Sequence, residues 1–412
     1  MVSEDVPHPH LGGLGKHALN LAHELNRRGH VVDFLGNGDN SIVKFPDQAG
    51  PGQFFGEISG CAKGWKERYI GAFTPWRTVL NARVLTRAIM ARAARYDVVH
   101  YHGHLPWVAD SIPLSVPFTQ TRHDQGGDCM LKTRYRPDAG RCTFTAPGAC
   151  AGCASPYPSA VQRQLSTFSV QHMRSRTARS YEQHPVIFVS RFLQDAFAKV
   201  SEIDFAGDVI HNAVDVRALD AALAAQARPD AAEVRFPVEL FSAGAMLAYK
   251  GYSSLLAAMR RNPLPAGVRL TLAGAGPELN LLRQTYESAG VRFLGWTAYA
   301  DVVRHVAAAD AVIVPSEWDE PCATTVLEAL ALGRPVLAMQ GGGMSELMCY
   351  SMYGIEGLQL FESFDTMVRA MSVHPPARRT APASVPAAFE GSIEVMADKV
   401  LSHYAKRLKV RI

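Results

Sequence analysis

The sequence predicts an α/β protein made of two doubly wound parallel-sheet domains. Short apolar runs alternate with amphipathic helical stretches, the pattern of βαβ units on a parallel sheet. The 412 residues exceed what a single core supports, so two domains are expected. Both halves use the same βα vocabulary, without a repeat at any short fixed period.

In the first half the apolar runs Val31–Leu35, Val98–Tyr101, Phe118–Thr121 and Val186–Val189 read as strands. Gly15–Arg28 and Thr78–Ala94 read as helices. Only Met1 and Val2 precede the polar Ser3-Glu4-Asp5, so either the usual opening strand is truncated or the natural start lies upstream. In the second half the strands are Glu239–Ser242, Arg269–Ala273, Val291–Phe293, Ala311–Val314 and Val336–Ala338. Helices are expected at Gly251–Met259, Glu278–Ala289, Ala300–Ala308 and Thr324–Leu332. The domain boundary is placed near Gly207–Asp215, giving residues 1–206 and 207–388. Pro375–Pro386 reads as a linker, and Phe389–Lys406 as an amphipathic helix in a final segment, 389–412.

Composition narrows the function. Apolar content of 48% and charged content of 19% are ordinary for a globular protein, and a net charge of +4 is too small for a nucleic-acid binder. No apolar run approaches the roughly 18 residues a membrane span needs. The start, MVSEDVPHPH, is not a basic-then-apolar leader, so a cytoplasmic location is expected. There the seven cysteines serve as thiols or metal ligands rather than disulfides. Between Cys129 and Ser180 lie Lys132, Arg134, Arg136, Arg141, Arg163, Arg174, Arg176 and Arg179, against Asp138 alone. That run is either a solvated helix face or a patch for anionic lipid headgroups or a pyrophosphate-bearing acceptor.

The segment Glu320-Pro-Cys-Ala-Thr-Thr-Val-Leu-Glu328 carries the most chemistry. Ala311–Val314 ends just before it, and a helix opens at Thr324. Glu320 would sit in the loop at the strand's carboxyl end and Glu328 about two turns into the helix. Ligands of open α/β sheets bind at that end, and free N–H groups of a first helical turn favour an anion. Sugar and ribose hydroxyls suit the two carboxylates. Leu11-Gly-Gly-Leu-Gly-Lys16-His17 is a glycine-rich loop opening a helix, where Gly13 and Gly15 admit a phosphate. Its spacing is not G-x-G-x-x-G, which argues against a dinucleotide oxidoreductase. Lys250-Gly251 stands between a strand and a helix, where the lysine can neutralise a diphosphate. His123-Asp124 follows a strand and can orient a polar substrate, and His100, His102 and His104 form a second cluster. Cys129, Cys142, Cys150 and Cys153 suggest a tetrahedral structural zinc, with unligated thiols as the plain alternative. The absence of any Asp-x-Asp triplet speaks against a divalent metal held on a sugar-nucleotide.

Assembled, these residues resemble the retaining glycosyltransferases of family 4, glycosyl transferases group 1, which have the GT-B fold. The resemblance runs over nearly the whole chain through Pro9-His-Leu-Gly-Gly-Leu-Gly15, Asp97-Val-Val-His-Tyr-His102, Val189-Ser-Arg191, His211-Asn-Ala-Val-Asp215, Lys250-Gly251, Ala273-Gly-Ala-Gly-Pro277, Phe293-Leu-Gly295, the Glu-x7-Glu segment and Gly342-Gly-Met-Ser-Glu346. It implies two Rossmann-like domains facing a cleft, the acceptor on the first (with a Cys-rich insert, 124–158) and a nucleotide-diphosphate-sugar on the second. The last helix is expected to cross back to the first domain. By resemblance Glu320 contacts the transferred sugar, Glu328 holds the ribose, Lys250 binds phosphate, and His123 lies near the donor sugar. Gly295, Trp296, Thr324 and Thr325 would border the nucleotide, and Gly13 and Gly15 the diphosphate. Lys16, Asp124 and Arg191 fall on the acceptor side. No catalytic metal is implied. Ala245 stands where the family commonly has a second phosphate cation, a role left to Arg191 or Lys16, and Ala323 replaces a common glycine.

The expected activity is retaining transfer of a hexosyl or N-acetylhexosaminyl group to a hydroxyl acceptor. A lipid-linked saccharide of bacterial surface polysaccharide (lipopolysaccharide, capsule or exopolysaccharide) is the favoured acceptor, with peripheral contact to an anionic membrane. A soluble small-molecule acceptor is the enzymatic alternative. A non-catalytic nucleotide-sugar or glycan-binding module and an epimerase are the readings from other classes.

Overall fold

The computed structural model describes residues 1–3, 13–38, 52–58, 74–136, 139–154, 159–203, 207–225, 238–351, 357–373, 376–377, 382 and 384–409. Part of the Gly-rich loop, Leu11-Gly12, and half of the 375–386 linker lie outside these residues. The chain divides into two compact units. Unit 1 holds 1–134, 142–211 and 393–412, and unit 2 holds 135–141 and 212–392.

In unit 1, α1 (Gly13–Arg27) is followed by β1 (Phe34–Asn37), β2 (Phe54–Ile58), α2 (Thr74–Met90), β3 (Val99–His102) and β4 (Phe118–Arg122). The hairpin β5 (Tyr135–Arg136) and β6 (Gly140–Arg141) counts with unit 2. Then come α3 (Pro147–Ala154), α4 (Ala160–Gln183), β7 (Val186–Phe188), α5 (Arg191–Ser201) and β8 (Asp208–Val209). β3, β4, β7 and β8 pair in parallel in that order, and β1 pairs with β2. Val2 bridges Leu35 on one side and Tyr101 on the other, in parallel. β1 begins three residues later than its apolar run, because Val31 is 80% exposed while Phe34 is fully buried. β2, β8 and α4 are not evident from apolar pattern. α4 places Val161, Leu165 and Phe168 in solvent and Val170 and Met173 in the core, so no single apolar stripe marks it.

Unit 2 alternates helix and strand as far as β13: α6 (Val216–Ala224), β9 (Val238–Ala243), α7 (Tyr252–Arg261), β10 (Val268–Ala273), α8 (Leu279–Tyr286), β11 (Val291–Gly295), α9 (Tyr299–Ala308), β12 (Ala311–Val314), α10 (Thr324–Ala331), β13 (Val336–Met339), then β14 (Leu358–Phe361) and α11 (Phe364–Val373). Its six parallel strands run in the order β11-β10-β9-β12-β13-β14. Counted within the unit this is 3-2-1-4-5-6, the doubly wound order, and it reverses between β9 and β12. Leu240, Leu270, Ile313 and Leu337 alternate into the core, closed by Leu255 and Leu256 of α7 and Met367 of α11. β9 and β12 are also tied by polar bonds, Ser242 Oγ donating to Ile313 O at 2.6 Å and Glu239 N to Asp310 Oδ2 at 2.9 Å.

The last helix, α12 (Ile393–Lys409), belongs to unit 1. Arg28 reaches Asp398 and the Glu394 carbonyl, and His403 bridges Thr119 on β4 and Asp208 on β8. The helix begins at Ile393 rather than Phe389, because Phe389–Ser392 is a turn with Phe389 buried.

Candidate functional site

Two clusters of polar side chains stand at strand carboxyl ends, one in each unit. In unit 2 the sheet order fixes the place. β9 leads into a short turn, Ala248–Lys250, and β12 into the loop 315–323. These two strands flank the point where the sheet reverses, which is where ligands of such sheets bind. Lys250 is delivered by Gly251, which adopts φ 75°. A Cβ there would lie 1.8 Å from Pro315 O, so the turn presses against the end of β12 in a way only glycine allows. The Lys250 ammonium ion-pairs with Glu320 Oε1, and Ser316 Oγ donates to the same oxygen at 2.8 Å. Lys250 Nζ also lies 5.2 Å from the Trp318 ring. Glu320 is 8% exposed, and its carbonyl accepts from Gly343 N at 2.8 Å.

Glu328, in the second turn of α10, accepts from Tyr299 Oη at 3.0 Å. Burial, then the Glu328 charge, raises the Tyr299 phenol far above its usual range, so it stays a donor. Thr324 and Thr325 form the first turn of α10, whose N-cap, Ala323, offers no side-chain acceptor. Ala323 has φ −73°, so this position does not require a glycine. Gly295 (φ 77°) ends β11, its carbonyl accepting from Gly274 N at 2.7 Å and Thr297 Oγ1 at 3.1 Å. Trp296 beside it is 64% exposed. Ala245 is exposed. Lys250, Glu320, Ser316, Glu328 and Tyr299 are thus held by three βα connections of one sheet, those after β9, β11 and β12.

A brace on this loop escaped sequence reading. Tyr135 Oη donates to Glu317 at 2.7 Å, and Arg141 Nε donates to Glu317 O at 2.7 Å while its other arm bonds Gln340 O. Burial and Glu317 push the Tyr135 phenol up to about 12. Tyr299, Ser316, Tyr135 and Arg141 were all missed. Ser316 and Tyr299 could have been found from their places just after β12 and at the start of α9. Nothing in the sequence marks Tyr135 or Arg141.

In unit 1 the glycine loop's Gly13 and Gly15 open α1, Gly15 being buried and Lys16 exposed. His17 on α1, His102 at the end of β3 and His123 after β4 converge: His102 Nδ1 and His123 Nε2 are 3.2 Å apart, and the His17 and His123 rings are 4.5 Å apart. Burial first, then the neighbouring imidazoles, push His102 and His123 well below the usual histidine range, so both are neutral. His100 is structural, bonding Tyr404 Oη at 2.6 Å and Thr121 Oγ1 at 2.7 Å. Asp124 accepts from His104 Nδ1 at 2.5 Å, Gly126 N at 2.8 Å and Arg122 Nη2 at 3.3 Å. Burial alone would raise its carboxyl, but His104 and Arg122 outweigh that and hold it well below the usual carboxylate range. Arg191 opens α5 behind the N-cap Ser190, its guanidinium 3.3 Å from Gln194 Oε1.

Two expectations need correction. Cys129, Cys142, Cys150 and Cys153 do not form a ligand set: among the described residues His17, His102 and His123 are the single group of three or more such side chains whose ligand atoms converge. Cys150 Sγ instead accepts from Arg174 at 3.1 Å, and burial pushes the Cys129 thiol up to about 11. Nor is the basic run one free face. Arg134 pairs with Asp128, Arg176 and Arg179 with Asp110, and Arg174 is buried against the carbonyls of Asp128 and Thr145. Its main counter-charges, Asp110 and Asp128, precede the run in sequence.

The model for Glycosyltransferase Family 4 matches residues 11–218, and that for Glycosyl transferases group 1 matches residues 228–352. An uncharacterised glycosyltransferase of Methanocaldococcus jannaschii, MJ1607, is 24% identical over 374 residues, 86% of this chain and 83% of that one. Glycogen synthase of Mycobacterium tuberculosis is 26% identical over 375 residues, 86% and 81% of the two chains. The lipopolysaccharide core biosynthesis glycosyltransferase LpsE of Rhizobium meliloti is 35% identical over 108 residues, 25% of this chain and 30% of that one. Among solved structures, sucrose-phosphate synthase from Thermosynechococcus elongatus matches with TM-score 0.66 at 18% identity, covering 99% of both chains. Anabaena HepE in complex with UDP and glucose matches with TM-score 0.60 at 16% identity, covering 98% of both. The fold is therefore GT-B, and no described helix is long and apolar enough to cross a membrane. The chain belongs to the GT-B glycosyltransferases of group 1.

Proposed function

We propose that the protein transfers a hexosyl or N-acetylhexosaminyl group from a nucleoside-diphosphate sugar to a hydroxyl acceptor, with retention at the anomeric carbon. One observation carries the reading: Lys250 and Glu320 meet at the reversal point of the unit 2 sheet, beside the first turn of α10 and Glu328. In this reading Lys250 leaves Glu320 for the diphosphate, and the N–H groups of Thr324 and Thr325 add to the stabilisation of its developing charge. The leaving phosphate takes the acceptor's proton on the face it departs from, so no side chain attacks the sugar. Glu320 positions the sugar, and Glu328 exchanges Tyr299 for the ribose hydroxyls. HepE's complex with UDP and glucose supports a nucleotide-sugar donor.

The acceptor we favour is a lipid-linked saccharide of bacterial surface polysaccharide, reached at the inner face of the cytoplasmic membrane. The LpsE similarity supports this. With the arginines largely paired, the surface that favours lipid is the stripe Val161, Leu165 and Phe168 on α4, at helical spacing with Arg163 alongside and each 45–67% exposed.

Thermal stabilisation by UDP, GDP, ADP and dTDP tests the donor site, because a ligand bound only by the folded state raises its stability. One nucleotide is expected to stabilise the wild type and not Glu328→Ala, and the matching sugar-nucleotide then yields an anomer-retained product by NMR. No shift with any nucleotide would favour a non-catalytic module, and donor conversion without acceptor an epimerase. For the acceptor, Phe168→Asp is expected to abolish co-sedimentation with anionic vesicles at low salt. If the wild type itself stays in the supernatant, the soluble acceptor is the better reading.

A further inference from the structure

We propose that His17, His102 and His123 form a three-imidazole site for a late first-row dication, Zn²⁺ foremost. One ring nitrogen from each histidine lies within 4.8 Å of the other two. The 3.2 Å between His102 Nδ1 and His123 Nε2 is close to the edge of a tetrahedron with Zn–N bonds of about 2.0–2.1 Å, which is about 3.3–3.4 Å. Binding would shorten the two edges to His17, which are at most 4.8 Å.

The neighbouring histidines show what a structural role looks like here. His100 has both nitrogens hydrogen-bonded, and His403 bonds Thr119 and Asp208 through its two. His102 differs: its ring is fully buried, and its Nδ1 faces a second imidazole nitrogen, His123 Nε2, where His100 and His403 meet hydroxyl or carboxylate oxygens. Three elements, α1, β3 and the β4 exit, supply one histidine each, so the donors sit on a rigid frame. Imidazole donors without carboxylate or thiolate select Zn²⁺, Co²⁺, Ni²⁺ or Cu²⁺ over Mg²⁺ or Ca²⁺. Three protein ligands leave a fourth position for solvent or an anionic oxygen. The site lies within unit 1 and does not depend on the donor assignment in unit 2.

The test is Co²⁺ titration of the full-length, chelator-stripped protein. Expected is one Co²⁺ per chain with visible ligand-field bands of a tetrahedral site, without the near-ultraviolet charge transfer of thiolate–cobalt bonds. His17→Gln, His102→Gln and His123→Gln are each expected to weaken binding at least about tenfold. His123 is only partly buried, so His123→Gln is the variant best placed to stay folded, checked by circular dichroism without metal. Absence of stoichiometric binding, or binding in folded His123→Gln as tight as in wild type, overturns the proposal. A thiolate charge-transfer band that persists in the histidine variants also overturns it and moves the metal to the cysteines.

Discussion

Glu320→Ala is expected to lower sugar transfer at least about 100-fold while leaving nucleoside-diphosphate binding within a few-fold of wild type. Glu320 accepts from both Lys250 and Ser316, so its carboxylate is fixed rather than searching rotamers. Deleting it removes the sugar's positioning partner. It also releases the Lys250 ammonium, which stays beside Trp318 and free to meet a diphosphate. Lys250→Ala removes the cation itself and should lose both binding and transfer. Calorimetry with the nucleotide, set beside initial rates, separates the two variants. Full transfer by Glu320→Ala would remove Glu320 from the site. Lost nucleotide binding in that variant would instead give it a phosphate-organising role through Lys250.

The parts of this site that were legible in the sequence are those set by local chain direction. Ala311–Val314 is a strand at the residues its unbroken apolar, β-branched run suggests, because it is central in a parallel sheet and buried on both faces. Thr324 opens a helix as read, and Lys250-Gly251 sits at a strand-to-helix turn for the same reason. Contacts set by tertiary packing were not legible. Tyr135 and Arg141 reach Glu317 across 182 and 176 residues. His102 and His123 were noticed as separate motifs, and His17 only as the end of a glycine loop. Their convergence requires the order β3-β4 and the docking of α1, which no local spacing encodes. The cysteines misled in the opposite sense. Four thiols within 25 residues imply closeness along the chain, but among the described residues no three of their sulfurs converge at ligand distance.

Asp124 separates a chemical from a structural role, and Asp124→Ala is expected to destabilise unit 1 by about 3 kcal/mol. Its neighbour in sequence, His123, suggested an acceptor-side residue. The structure turns the carboxylate onto Arg122, which is 1% exposed, and onto His104 and Gly126. Removing it takes the carboxylate from a buried guanidinium that also bonds Gly103 O, and loss of a buried cation's counter-charge is what makes such deletions costly. Asp124→Asn keeps the shape and one acceptor oxygen, so it should lose less. The pH sign follows from the carboxyl being held below its unfolded value. The wild type retains this contribution above about pH 4 and loses it as pH falls further, whereas Asp124→Asn lacks that acid-dependent loss. Hydrogen exchange resolved by segment is the appropriate measurement, because a two-unit protein need not unfold in one step. Faster exchange confined to unit 1, with unit 2 unchanged, is the expected pattern. Unchanged exchange in Asp124→Ala together with a large loss of kcat would instead give Asp124 to the acceptor.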